Sequence, residues 1–221
     1  MTGKSSGSIP RGAERAGRIT CFRIFRHIAK DTFEQLARAD QAHGELAQIA
    51  SFYVIPGGWD GGRDERIVDV FYGNRPIGRD FDVPGALRLA TEQGAMLRYS
   101  LGDDGSVLCV LHPSGSSNRR RMEDGIVYRN IRDPCVLTGA PALDRHRRAL
   151  RSYFECSSVD GRPTIIDRLR VQWLLLTRNV IIDGNTLPPL WRRGTKKIIT
   201  IGMSGFIVAA AVALIAWYLS K

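Results

Sequence analysis

Residues 96–111, MLRYSLGDDGSVLCVL, decide the fold of this chain. Two apolar runs, 96–101 and 107–111, flank Gly102-Asp103-Asp104-Gly105, and this arrangement is a strong signal for a β-hairpin. Further apolar runs at 67–72 and 126–131 predict two more strands. The pattern therefore predicts an antiparallel β-meander.

Helical periodicity surrounds this meander. Apolar residues from Phe22 to Phe33 recur at helical spacing and predict a helix that continues to residue 49, while Pro84 and Gly94 bracket a second one. Residues 141–156 and 163–182 predict two more, and the last is expected to bury one face in the core. The members of that face are Ile165, Ile166, Leu169, Trp173, Leu176 and Val180. The fold class expected is α+β, a small cytosolic domain with a helix, an antiparallel β-meander and flanking helices, followed by one C-terminal transmembrane helix.

Charge is concentrated at the two ends of the chain. The whole chain has a formal net charge of +10, but residues 31–191 contain 20 basic and 21 acidic side chains. A neutral globular part is not typical of proteins that neutralise nucleic-acid phosphates, so nucleic acid is not expected as a partner.

The last apolar segment, 198–219, contains no charged residue and is long enough as a helix to span a bilayer. Ile198, Phe206, Val212 and Leu219 represent this predicted membrane anchor. A basic collar precedes it, formed by Arg192, Arg193, Lys196 and Lys197, and the positive-inside rule then places the N-terminus in the cytoplasm, at the inner membrane in a bacterium. The predicted organisation is a disordered basic segment 1–17, an α+β domain 18–190, the collar 191–197, the span 198–219 and a translocated tail 220–221. The basic N-terminal part has three open interpretations: a lipid contact, a transit segment or a solvated helix.

Small residues line one face of this segment. Gly202, Gly205, Ala209, Ala213 and Ala216 are spaced as in small-xxx-small motifs, so a homodimer through the span is a further expectation.

Catalytic and metal-binding motifs are weak. The four cysteines, at 21, 109, 135 and 156, form no CxxC pair, and in a cytosolic domain they are expected to be reduced. His146 lies on the apolar face of its helix and is expected to be a hydrogen-bonded core residue. No phosphate-binding glycine motif occurs, so neither a cofactor nor a metal is expected.

One loop could hold a ligand. Arg75, Arg79, Asp80 and Asp82 lie close together in a turn-rich stretch and could bind a cation or a phosphate. The function expected is that of a single-pass, tail-anchored protein whose cytosolic domain binds a partner or ligand at the membrane surface. Two alternatives stay open: a membrane-tethered enzyme acting on a phosphorylated or lipid substrate through this loop, and a membrane effector that acts through oligomerisation of its anchor. No catalytic residue is assigned. An enzyme predicts a polar pocket around residues 75–82, whereas a binding module predicts an exposed apolar patch.

Overall fold

A computed structural model describes residues 11–83, 86–116 and 120–192 of the chain. The helices are α1 (Arg11–Arg38), α2 (Gln41–Leu46), α3 (Ala140–Ser157) and α4 (Ile165–Thr177), with one 3-10 turn at Pro134–Thr138. The strands are β1 (Phe52–Pro56), β2 (Ile67–Tyr72), β3 (Arg75–Val83), β4 (Ala86–Glu92), β5 (Met96–Leu101), β6 (Val107–His112), β7 (Gly125–Ile131), β8 (Val180–Ile182) and β9 (Asn185–Leu187). The α+β fold class with an antiparallel sheet is confirmed.

Seven strands form one antiparallel sheet in the order β1-β2-β5-β6-β7-β8-β9. The predicted hairpin is its centre, with Leu101 opposite Val107 across a turn in which Gly105 has a φ of 79°. That positive φ explains why the turn needs glycine at this position. Within the described part of the chain, strands β3 and β4 pair only with each other, and they form a separate hairpin inserted in the sequence between β2 and β5.

The core lies between one face of the sheet and helices α1 and α3. Phe25 of α1 meets Tyr99 of β5 edge to face at a centroid distance of 5.0 Å, and Phe154 of α3 stacks on Tyr72 of β2 at 4.3 Å. Asp40, which follows α1, accepts hydrogen bonds from Arg147 and Arg151 of α3 at 2.6 and 2.8 Å. The two helices are therefore held to each other as well as to the sheet.

Several helix and strand predictions are corrected. The stretch up to Glu92 that was expected to be helical forms strand β4, and helix α1 ends at Arg38 instead of continuing to residue 49. Helix α1 also begins at Arg11, inside the segment 1–17 that was expected to be disordered. Its first turns rest on the β5–β6 turn, where Arg18 donates a hydrogen bond to the Asp104 carbonyl at 3.5 Å. Residues 180–182, expected as the end of a helix, form β8.

The cysteines are not all reduced, contrary to the prediction. Cys21 of α1 and Cys135 of the 3-10 turn form a disulfide that joins positions 114 residues apart. Cys109 and Cys156 are free thiols. The spacing of the two cysteines in the sequence did not indicate this pairing, because the tertiary fold is what brings helix α1 against the 3-10 turn.

The description of the chain as a transmembrane protein is not supported. Among the residues described here, none of the helices combines the length and the apolar character needed to cross a bilayer. Helix α1 has 28 residues but is interrupted by charges, and the apolar helix α4 has only 13. The segment 198–219, with Ile198, Phe206, Val212, Leu219 and the small-residue face at 202, 205, 209, 213 and 216, lies outside the described residues.

Candidate functional site

Helix α4 carries the largest row of exposed apolar side chains in the described part of the chain. Ile165, Leu169 and Trp173 are exposed to 77, 64 and 67%, and Ile166 and Leu176 lie on the same face. Their spacing follows one side of a helix for three turns. We call these five residues the α4 face. The prediction that this face packs into the core is wrong, since Val171 and Leu174 on the opposite side are the residues that are buried.

Hydrogen bonds fix the orientation of α4. Thr164 and Asp167 form a capping box at its first turn, and the hydroxyl of Ser152 in α3 donates to Asp167 Oδ1 at 2.6 Å. Burial acts to raise the pKa of Asp167, but the hydrogen bonds from Ser152 and Thr164 outweigh it and lower that pKa below its ordinary value. An ionised Asp167 at the helix N-terminus also suits the helix dipole. Helix α4 is thus tied to α3 by its polar side, which turns the α4 face outward.

A groove of about 340 Å³ runs between α3 and α4 beside the α4 face. Three guanidinium groups line it, from Arg145, Arg148 and Arg170, together with the rings of Tyr128 and Trp173. We call this feature the arginine groove. Trp173 belongs to both features, so the groove opens directly onto the apolar row.

The arginine groove has an excess of positive charge. Arg148 pairs with Asp144 at 2.8 Å, and Arg170 donates to Ser152 Oγ at 2.6 Å and pairs with Asp167 at 3.9 Å. Arg145 forms no ion pair with any residue that the structure describes, and neither do Arg129 and Arg178 close by.

The arginines around the groove influence the pKa values of two neighbouring buried groups, His146 and Tyr128. Burial lowers the pKa of His146 to about 4, with Arg129 and Arg145 acting in the same direction. Burial raises the pKa of Tyr128, and Arg129, Arg178 and Arg145 oppose that rise. These three arginines therefore lie near enough to Tyr128, one of the residues that line the groove, to act on its hydroxyl electrostatically.

The residues predicted to form a ligand loop are placed differently. Positions 75–83 form strand β3, so Arg79, Asp80 and Asp82 lie along a hairpin ladder and not in an irregular loop. Arg75 is occupied by Glu92 at 2.7 Å and by Asp160 at 2.8 Å. The structure describes no side-chain cluster of these four residues, because the side chains of 79, 80 and 82 fall outside what it describes.

Of the basic collar, only Arg192 is described. Its guanidinium lies over the ring of Trp191, 5.1 Å from the centroid. Leu190 and Trp191 are exposed. Arg193, Lys196 and Lys197 lie outside the described residues.

Among the described residues, one group of side chains has the types that could bind a metal ion. Cys21, Asp133 and Cys135 lie close together, but the disulfide uses both sulfur atoms. An oxidised cysteine pair cannot supply the thiolates that a metal needs.

Comparisons with known protein families, with curated proteins and with solved structures found no match for this chain. The candidate site therefore rests on its own geometry. Sequence reasoning found the apolar periodicity of α4 but assigned it to the core. The signal for the outward orientation was the pair Arg168 and Arg170, which flank the row on both sides at helical spacing.

Proposed function

We propose that this domain binds the surface of an anionic lipid bilayer through the α4 face, with the arginine groove receiving a headgroup phosphate. The observation that carries the proposal is the row of five exposed apolar side chains next to a groove lined by three arginines, of which Arg145 has no ion pair among the described residues. A helix with an apolar row flanked by basic residues is typical of segments that lie in the plane of a membrane interface.

The energetic terms favour this kind of partner. Full burial of one large apolar side chain contributes about 1.5–3 kcal/mol, and each basic group near an anionic surface adds about 1 kcal/mol before salt screening. Partial insertion of the α4 face thus supplies several kcal/mol, against which the entropy of association must be set. The arginines contribute only with acidic lipid, so the binding should weaken as salt increases.

Charge complementarity supports lipid over an apolar protein groove. The groove arginines sit beside Trp173, whose amphipathic ring suits the headgroup level of a bilayer. A guanidinium group is planar, and its N–H donors can bind a phosphate through two hydrogen bonds at once.

The test uses the full chain and measures amide hydrogen exchange peptide by peptide. Segment 198–219 is itself apolar, so retention on vesicles alone does not report on α4. Vesicles of phosphatidylcholine with phosphatidylglycerol should slow exchange within 165–177, and vesicles of phosphatidylcholine alone should do so much less. Leu169→Glu and Trp173→Glu should remove the slowing, whereas Ile24→Glu, a change at an exposed residue of α1, should leave it in place.

The groove has its own matched pair of variants. Arg145→Ala should weaken the lipid-dependent slowing about fivefold, which is the effect of about 1 kcal/mol. Arg23→Ala, at an exposed residue of α1, should leave the lipid-dependent slowing unchanged. Slowing that follows protein concentration and not lipid would assign the α4 face to a second copy of the chain and would overturn the proposal.

A further inference from the structure

A second cavity lies where β4 and β6 end and β5 begins. Its volume is about 500 Å³, within the range of small-molecule sites. Its walls come from the ends of these strands, from Asn74 and from the described residues of the loop between β6 and β7. We call it the strand-end cavity, and the residues that matter for its chemistry are His112, Ser114, Arg120, Arg121 and Glu123.

The walls of the strand-end cavity are held by backbone contacts. Gln93 and Gly115 exchange two backbone hydrogen bonds of 2.8 and 3.0 Å, which tie the two sides together. At Gly94 a Cβ atom would come within 2.2 Å of the Tyr72 carbonyl oxygen, so only glycine allows this close approach. Ser114 N–H donates to Ser157 Oγ at 3.0 Å. The cavity is thus a built feature of the fold.

The hydroxyl of Ser114 is the first group that points to a ligand. Ser114 is 1% exposed, and its Oγ has no hydrogen-bond partner among the residues that the structure describes. A buried hydroxyl without a partner is unfavourable and uncommon in folded proteins. A ligand acceptor or donor in the cavity would satisfy it.

His112 offers an acceptor to the same cavity. Its Nδ1 lies 3.0 Å from the Asp124 carbonyl oxygen, which can only accept, so the proton is on Nδ1. Burial lowers the pKa of His112, and the ring is therefore neutral at pH 7. Nε2 is then a hydrogen-bond acceptor for a hydroxyl or N–H of a ligand.

Two arginines and two carboxylates line the cavity, and Arg120 is the arginine whose charge no carboxylate contacts among the described residues. Arg121 pairs with Glu123, and the same carboxylate accepts a hydrogen bond from the Tyr153 hydroxyl at 3.1 Å. Asp124 accepts a bond from the Gly184 N–H at 3.3 Å. Arg120 has no ion pair in the described part of the chain, so its guanidinium is the group that would attract an anion.

We infer that the strand-end cavity binds a small hydroxylated anion. Its negative group faces Arg120, one of its hydroxyl groups donates to His112 Nε2, and an oxygen accepts from Ser114 Oγ. Phosphorylated sugars and hydroxy acids share this chemistry, and the experiment below separates them. The inference does not depend on the lipid-binding role of α4.

The test follows the ring resonances of His112 in the full chain, labelled with ¹³C-histidine. The compounds are a hexose monophosphate, the same hexose, inorganic phosphate, malate and succinate. We expect the hexose monophosphate or malate to shift the His112 signal and to bind at least about tenfold more tightly than the compounds that lack either the hydroxyl or the charge. Which of the two binds identifies the source of the anion.

Two variants give the inference a signature that a structural role would not produce. Ser114→Ala should weaken binding about fivefold and yet raise the midpoint of thermal unfolding, because it removes a buried hydroxyl that has no partner in the free protein. Arg120→Gln should weaken binding, whereas Arg132→Gln, at an exposed arginine just beyond the opposite end of β7, should not. The inference would be overturned if inorganic phosphate bound as tightly as the hexose monophosphate and succinate as tightly as malate, if His112 responded to no compound, or if Ser114→Ala left binding unchanged.

Discussion

His146 is a histidine that the fold keeps neutral. It lies on the buried side of α3, and its Nδ1 is 2.8 Å from the hydroxyl of the core residue Tyr99. Its ring also meets Tyr128 edge to face at 5.0 Å. The expectation from sequence that His146 is a hydrogen-bonded core residue is confirmed. Burial then makes the charged form of the ring costly.

The buried imidazole predicts a loss of stability in acid. The pKa of His146 falls to about 4 in the folded protein, from about 6.5 in an unfolded chain. The unfolded state therefore binds more protons between these two values, so the contribution is fully present above pH 6.5 and is lost as pH falls towards about 4. The total change is about 3 kcal/mol. Urea unfolding at several pH values should show this slope, and His146→Gln should flatten it. A variant with the same slope as the parent would contradict the assignment.

Glu92 gives a second prediction for a single residue. Its carboxylate accepts bonds from Arg75 at 2.7 and 2.9 Å, from Ser158 Oγ at 2.9 Å and from the Val159 N–H at 2.7 Å. Glu92→Ala leaves Arg75 with only Asp160 as an ion-pair partner and removes the acceptor of Ser158 and Val159, so it should cost about 1–3 kcal/mol of unfolding free energy. Glu34→Ala, which breaks an exposed pair with Arg38, should cost under about 1 kcal/mol. Similar costs for both variants in chemical denaturation would show that the Glu92 network is unimportant.

Among the elements, β4 and α4 show where sequence patterns lose information. Pro84 and Gly94 bracket residues that read as a helix, yet β4 places Glu92 directly across from Arg75 in the hairpin register. The two paired residues are 17 positions apart in the sequence, which is beyond the range of a local periodicity pattern. For α4 the helix itself was predicted, but its period is the same whether the apolar row faces inward or outward. The polar tie from Ser152 to Asp167 decides the direction, and it lies in another helix.

The same Leu→Ala substitution should have very different effects on stability on the two sides of α4. Leu174 is 6% exposed and packs in the core, whereas Leu169 lies on the α4 face. Leu174→Ala should reduce the unfolding free energy by about 2–5 kcal/mol, because it leaves a cavity. Leu169→Ala should change it by less than about 0.5 kcal/mol. Thermal unfolding of the two variants measures both, and equal destabilisation would mean that the α4 face is covered in the folded chain.

For the whole molecule, the central meander was predicted well because its signals are local. The β5–β6 turn contains the glycine that its backbone requires, and β7 follows with its own apolar run. The covalent link between the first helix and the 3-10 turn could not be predicted, since Cys21 and Cys135 are 114 residues apart and only the tertiary fold brings them together. The candidate site was predicted only as a periodic row, because the groove needs side chains from α3, α4 and β7 together.

The disulfide predicts a large dependence of stability on redox conditions. Closing a loop of 114 residues removes unfolded-state entropy worth about 3–5 kcal/mol in the chain-entropy model. Dithiothreitol should therefore lower the unfolding free energy of the parent and have no effect on a Cys21→Ala/Cys135→Ala double variant. Equal sensitivity of both proteins would contradict the crosslink. Disulfides persist mainly in oxidising compartments. A confirmed crosslink would therefore count against the predicted cytosolic localisation.

The same bond has a topological consequence. Strands β1 to β7 all lie between Cys21 and Cys135, so the main part of the sheet belongs to a closed covalent ring. A protease that cuts one peptide bond anywhere inside this ring opens it without releasing a fragment. The nicked protein would migrate near its intact mass on a non-reducing gel and separate into two pieces only after a reductant is added.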